Sequence, residues 1–360
     1  MNILLVTGHP AQVHNMKHIR HDLTEKGHHV FWLASNKDIS KHLLDHYSIN
    51  YSLLRKGGKT VFSKLIALLI NTFIAIRFIR KNNIDIAVSR ISPYVSIACF
   101  VLGKPHIGLT DTETAGFYDK FFGRFLSSML TAKSFQRTLR KDQIRFDGNI
   151  ELFYLHPKRF QAEPDVSGLL GINKNEPFVI MRFVSWDAYH DKGLNGFTDE
   201  NKINAVKAFS KKAKVFITAE NQLPTELEPF KIKIPPEIMH DVLAHATLFF
   251  GESATMASES AVLGTPAIYL DKIGRGYTDE EEKYGLVYNY SNSLSDQGKA
   301  IQRGLELLNN PTLTSEMQKN REAFLKNKID MTGFMVWFVE NYPQSAKIMK
   351  ENPDYQYRFK

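Results

Sequence analysis

Two glutamates stand seven residues apart among small side chains in the stretch FGESATMASESAVLGTPAIYLD, Phe250 to Asp271. Seven residues is close to two helical turns. Met256 and Leu263 lie three before and four after Glu259, so this carboxylate shares a helical stripe with apolar residues. Helix side chains lean toward the N-terminus, which aims Glu259 back at Ser253, Ala254 and Thr255. Ser253 suits a helix cap, and the amides that follow it, at the positive end of the helix dipole, form a natural anion site. A carboxylate accepting hydrogen bonds in pairs fits the vicinal hydroxyls of a ribose. An ion pair with a neighbouring Arg or Lys would account for the same position.

Other groups capable of chemistry follow apolar runs. Gly8-His9-Pro10-Ala11-Gln12-Val13-His14 closes the first such run, and His14, His18 and His21 share one helix face. The His-x-x-x-His spacing suits a metal, but Asn15 stands where a zinc protease carries its glutamate. A solvated face is therefore expected, with no metal. Asp111 and Glu113 follow another run, placed to act as base, to hold hydroxyls or to cap the next helix. Arg182, Trp186, Asp187, His190 and Asp191 follow a third. A Trp among charges forms a stacking wall for a sugar or base, or pins its loop into the core. Arg275 lies in Gly274-Arg275-Gly276, where paired glycines let backbone approach a phosphate.

The elements that must carry these groups read as α/β. Ala246–Phe250 is a short apolar strand; the helix after it ends near Leu263, where Gly264 and Pro266 stop it, and Ala267–Leu270 is the next strand. Loops this short favour a parallel sheet. The same rhythm runs from the start: strand Ile3–Val6, helix Val13–Lys26, strand Val30–Ala34, strand Ile84–Ser89, helix Pro93–Leu102 and strand His106–Leu109. It breaks near His156-Pro157 and restarts with strands at Phe178–Phe183 and Lys214–Thr218. Four segments are expected: a Rossmann-like domain over 1–157, a connection over 158–177, a second Rossmann-like domain over 178–330, and a helical tail over 331–360 packing back on the first domain. Doubly wound domains of this kind would face each other across a cleft at the carboxyl ends of their strands.

Composition is ordinary for a globular chain of 360 residues, with 43% hydrophobic and 23% charged residues. A single cysteine, Cys99, precludes an intramolecular disulfide and fits a cytoplasmic protein. The opening Met1-Asn2-Ile3-Leu4-Leu5-Val6 lacks a basic leader and runs on like a strand. The net charge of +8 is concentrated: Arg55 to Lys81 holds seven Lys and Arg and no Asp or Glu, and so carries +7. The apolar run Leu65–Ile76 within it falls short of the roughly 20 residues that span a bilayer. It is either a buried helix with solvated, charged ends or a helix making peripheral contact with an anionic membrane at its inner face. Nucleic acid is not expected, because no aromatics interleave with the charges.

The sequence resembles the GT-B glycosyltransferase clan. Ser253 to Ala267 is similar to the S/T-x-x-E-x-x-x-x-G-x-P helix of nucleotide-sugar transferases, and Ile84 through Ile107 resembles the clan's strand-loop-helix-G-x-P passage. Met181 to Asp187 with His190-Asp191, Asp111-Thr112-Glu113 and Tyr154-Leu155-His156-Pro157 resemble a family of unknown function within that clan. The resemblance implies a GT-B fold and a nucleotide-sugar substrate, a UDP-sugar by analogy, with no separate cofactor and no metal. It implies that Glu259 holds the ribose, as in the enzyme that adds N-acetylglucosamine to the lipid-linked peptidoglycan precursor. Arg182, Trp186, Asp187, His190, Ser253, Ala254, Thr255 and Arg275 then surround the nucleotide-sugar. His14, where inverting relatives place a catalytic His or Asp, becomes the candidate base, with Asp111 and Glu113 beside it. Glu252 departs from the pattern, since relatives place small residues there. Its charge must point away from a diphosphate or pair with a base such as Arg275 or Arg182. The implied reaction is glycosyl transfer to a cell-surface glycan, polysaccharide or lipid-linked precursor. Epimerisation, as in the non-hydrolysing UDP-N-acetylglucosamine 2-epimerases, and sugar-nucleotide binding without catalysis stay open.

Overall fold

The computed structural model describes residues 1–58, 60–113, 116–184, 196–271 and 274–360. The chain divides into two compact units, Met1–Arg159 with Ile329–Lys360, and Phe160–Lys328. Residues 160–177 count with the second unit rather than standing apart; the Glu163 amide, for example, donates to Asp241 at 2.9 Å.

The first unit is built on seven parallel strands: β1 (Asn2–Thr7), β2 (His29–Ser35), β3 (Ser52–Leu54), β4 (Ile86–Arg90), β5 (His106–Thr110), β6 (Ser128–Ala132) and β7 (Ile144–Phe146). Their order is β3-β2-β1-β4-β5-β6-β7. The run Ile3–Val6 is buried throughout, as a central parallel strand covered on both faces requires. From β1 the chain builds outward through β2 and β3, then re-enters on the other side of β1 as β4. The strand order therefore reverses between β1 and β4, and the crevice at their carboxyl ends is where such sheets bind ligands.

Helix Pro10–Glu25 follows β1, capped by His9, whose Nδ1 accepts from the Ala11 amide at 3.3 Å. Helix Val61–Lys81 is longer than its apolar run suggested. Its Ala75 and Ile79 join Leu4, Val6, Leu33 and Ala87 in the core, whereas Phe62, Leu65, Ile66, Leu69 and Phe73 are exposed. The expectation of a buried helix holds for one face only. The helices Met331–Glu340 and Gln344–Glu351 belong to this same unit. Thr332 donates to the Phe153 carbonyl at 2.7 Å, Phe334 and Phe338 are fully buried, and Trp337 stacks on Tyr355 at 4.8 Å.

The second unit carries five parallel strands, β8 (Phe178–Phe183), β9 (Lys214–Ala219), β10 (Leu248–Gly251), β11 (Ala267–Leu270) and β12 (Val287–Tyr290), in the order β12-β11-β10-β8-β9. Here the order reverses between β8 and β10. The strand–helix–strand reading of the opening stretch matches β10, helix Ala254–Leu263 and β11. Gly264 ends that helix at φ 93°, in the left-handed region that glycine tolerates best. Gly251 serves a different need. A Cβ there would fall 2.3 Å from the Arg182 carbonyl oxygen, so only glycine lets β10 approach β8 this closely.

Candidate functional site

A cavity of about 490 Å³ opens at the reversal point of the first sheet. Its floor is the end of β1, Val6-Thr7-Gly8, and its walls include His9, Gln12, Lys37, Arg55, Lys56 and Arg90. Among the described residues no carboxylate lines it. Each cation has a local reason to be there. Arg90 is the last residue of β4, Lys37 follows β2, and Arg55 and Lys56 follow β3. Asn71 of the Val61–Lys81 helix secures the Arg55 backbone, accepting from its amide at 2.8 Å and donating to its carbonyl at 3.0 Å.

Asp111 reaches this rim by an ion pair with Arg90, and Thr112 donates to Asp111 at 3.0 Å. Glu113 is buried. Close by, the Thr110 hydroxyl donates to the buried Asp119. Burial pushes the Asp119 carboxyl above its ordinary range, while the Thr110 bond and the Arg90 charge pull it back. Burial likewise raises the phenols of Tyr94 and Tyr118, two further lining residues.

His14 does not line the cavity. It is buried one turn into its helix, with the Tyr47 hydroxyl 3.3 Å from its Nδ1 and the Tyr154 ring centroid at 5.6 Å. The expected solvated histidine face is also corrected, for only His21 of the three is exposed. Burial, helped by Lys17 and Arg159, lowers His18 to about 4. No cluster of His, Cys, Asp and Glu suited to a metal occurs among the described residues.

In the second unit, Ser253 caps helix Ala254–Leu263, accepting from the Met256 amide at 3.3 Å. Ser253, Ala254 and Thr255 are half-buried, whereas the helix is buried from Ala257 to Val262. Glu259 lies in that buried stretch with its Oε1 3.0 Å from His240 Nε2. One partner is thus an imidazole, where an Arg or Lys was considered from sequence. Glu252 is held by backbone. Its carboxylate accepts from the backbone amides of Val184 at 3.1 Å and Phe197 at 2.5 Å. Those amides flank the segment 185–195, so Glu252 ties together the chain on either side of it. Arg182 pairs instead with Glu220 at 2.6 Å, and Arg275 with Asp271 at 3.2 Å. A cavity of about 130 Å³ lies beside Glu252 at the carboxyl ends of β8 and β9, lined by Phe183, Val184, Phe197, Lys202 and Ala219. Trp186, Asp187 and His190 lie outside the described residues.

Sequence inspection missed Arg90, Lys37, Arg55, Lys56 and His9 as a set. The available signal was position: each stands at or just past the carboxyl end of a strand, where parallel sheets place ligand-binding groups.

Two doubly wound parallel units define a protein of the GT-B fold class. Residues 3–274 match the family described as protein of unknown function (DUF354), and the chain belongs to that family. No match occurs among curated proteins. Among solved structures, the chain is similar to a protein assigned as a UDP-N-acetylglucosamine 2-epimerase from Listeria monocytogenes, with 12% identity and a TM-score of 0.72 over 95% of this chain and 96% of that one. It is also similar to UDP-GlcNAc 2-epimerase from Neisseria meningitidis bound to UDP-GlcNAc, with 11% identity and a TM-score of 0.66 over 94% of this chain and 100% of that one. A third is MurG from Acinetobacter baumannii, with 15% identity and a TM-score of 0.60 over 94% and 99%. At these identities the likeness is one of fold.

Proposed function

We propose that this chain transfers a glycosyl group from a nucleotide-sugar, a UDP-sugar by analogy with its structural neighbours, to a glycan or lipid-linked precursor that carries an anionic group. The observation that carries this reading is the cavity at the β1–β4 reversal, walled by Lys37, Arg55, Lys56 and Arg90 with no carboxylate among its described lining residues. Such a wall favours phosphate or carboxylate on the acceptor. In the second unit the amides after Ser253 suit the donor diphosphate, and Glu259 suits the ribose hydroxyls. His9, at the cavity wall, takes the proton from the acceptor hydroxyl. Asp111, paired with Arg90 at the rim, orients that hydroxyl. The oxygen bonds to the anomeric carbon as the carbon–phosphate-oxygen bond breaks, and the diphosphate leaves with the electron pair.

An epimerase is the second reading. It is favoured by the higher TM-scores of the two epimerase neighbours, 0.72 and 0.66 against 0.60. Incubation with UDP-sugars separates the two. Transfer predicts release of UDP only when acceptor is present, whereas isomerised sugar without acceptor would establish epimerisation. Binding with no turnover under either condition would leave a sugar-nucleotide binding protein. Glu259 provides a site-specific check. If it holds the ribose, Glu259→Ala weakens nucleoside diphosphate binding by about 1.5–3 kcal/mol and blunts discrimination between ribo and 2′-deoxy forms. A large loss of thermal stability with discrimination intact would instead make Glu259 a scaffold partner of His240.

A further inference from the structure

Helix Val61–Lys81 presents an apolar face that no described residue of the first unit covers. Phe62, Leu65, Ile66, Leu69 and Phe73 recur at intervals of three and four and therefore share one side of the helix. Phe62 is 72% exposed, and Leu69 and Phe73 are each 66% exposed. Helix Pro93–Val101, which packs against this one, adds Phe100 and Val101 at 63% and 62%. A run of large apolar groups this exposed marks a surface made for a partner. Charge identifies the partner. Arg77 and Arg80 continue the same side of the helix, Lys64 and Lys81 are also exposed, and the stretch from Arg55 to Lys81 contains no carboxylate.

We propose that this face docks the first unit on an anionic lipid bilayer, with the helix lying in the plane of the interface. The aromatic and aliphatic side chains enter the headgroup–acyl boundary, and the arginines spread along the helix to meet lipid phosphates. The helix is long and apolar enough to cross a membrane, but its other face is committed to the fold. Ala75 and Ile79 are core residues, and Asn71, 2% exposed, holds the Arg55 backbone. Spanning would strip these groups from the sheet. A second copy is a poor partner, because a two-fold contact sets each cationic end against the same charges or against an apolar stretch. The docked helix also braces the wall of the 490 Å³ cavity through Asn71 and Arg55. Docking would therefore bring that wall to where a lipid-linked anionic acceptor presents its head. Only this last consequence rests on the proposed function.

Flotation of the full chain with vesicles tests the docking. The wild type is expected to float with phosphatidylcholine vesicles containing phosphatidylglycerol, to float poorly with phosphatidylcholine alone, and to lose binding as salt rises. Leu69→Asp with Phe73→Asp should abolish flotation with an unchanged melting curve, since both side chains are exposed. Arg77→Ala with Arg80→Ala should weaken partition by about 20–30-fold, at roughly fivefold per basic residue. No flotation of the wild type at low salt would overturn the proposal, as would an aspartate variant that floats like the wild type. A dimer in sedimentation that the aspartate pair converts to monomer would assign the face to a second copy instead. Retention of the wild type after alkaline extraction would assign the helix to a membrane span.

Discussion

Glu252 and Glu259 are the same residue type on one strand–helix turn, and the fold uses them differently. Glu259 meets the imidazole of His240, a group that can donate to it and still leave carboxylate lone pairs for other donors. Glu252 meets backbone. A carboxylate accepting two amides is satisfied without a cation, and this accounts for a buried acid beside the helix start. Removing it leaves the Val184 and Phe197 amides without that acceptor. Glu252→Ala is expected to cost the second unit about 2–4 kcal/mol, given the strength of hydrogen bonds to charged groups. Glu252→Gln should recover part of this, because one amide oxygen remains. Chemical denaturation checks both variants. A Glu252→Ala midpoint equal to that of the wild type would show that the two bonds contribute nothing.

At the scale of elements, the parallel strands of the first unit bury groups that respond to pH. His106 opens β5, is fully buried and places Nε2 2.8 Å from the Ser89 hydroxyl on β4. Desolvation lowers it from 6.5 to about 3, and His18 is lowered to about 4. Both histidines stay neutral in the folded state at pH values where the unfolded chain protonates them. Their contribution to stability is therefore complete above the unfolded value and is lost as pH falls from 6.5 toward the folded values. Each adds a slope of up to about 1.4 kcal/mol per pH unit in that window. Melting temperature measured against pH should fall through the window, and His106→Gln should flatten the fall even if its neutral-pH stability is lower. An unchanged slope in the variant would remove His106 from the acid response.

At the scale of the whole molecule, the chain leaves the first unit after Arg159 and returns at Ile329. Both crossing points are fastened to the first unit. Arg159 donates to Asp22 at 2.7 Å and to Asp330 at 2.6 Å, while the Ile329 amide donates to the Asp147 carbonyl at 3.1 Å. Asp330 also caps the Met331–Glu340 helix, accepting from the Gly333 amide at 3.1 Å. Burial opposes ionisation of Asp330, but the Arg159 and Gly333 hydrogen bonds outweigh it and hold the carboxyl below its usual range. Arg159→Ala leaves two largely buried carboxylates facing each other without their cation. It should lower the melting temperature of the first unit by roughly 5–10 °C. Arg159→Lys should restore only part of this, since a single ammonium cannot reproduce the guanidinium fork. Calorimetry that finds Arg159→Ala as stable as the wild type would refute a fastening role.

The fold class was legible from local pattern. Apolar runs separated by capped, periodic helices with short loops admit little besides a parallel α/β arrangement, and the β10–helix–β11 turn was readable down to its Ser253 cap and Gly264 stop. The short strands β3, β6, β7 and β12 were not legible. Three to five residues carry too little alternation, and such strands exist because a neighbouring strand supplies their hydrogen bonds. The candidate site divides in the same way. Groups clustered in sequence, such as Asp111 with Glu113 or Ser253 through Glu259, declare themselves. Lys37, Arg55, Lys56 and Arg90 come from the ends of three strands and meet only because β2, β3 and β4 are laid around β1. The partners of Glu252 and Glu259 also come from distant segments, Val184 and Phe197 for one and His240 for the other. The sequence shows that Leu65–Ile76 is apolar. Whether a given side of it faces a core or the outside depends on which other element reaches that side. In this protein Ala75 and Ile79 found the sheet, while Leu69 and Phe73 were left exposed. Local propensity and hydrophobic pattern act within a few turns of chain, so they determine the elements. The partner of each side chain is decided by long-range packing, which only the tertiary structure contains.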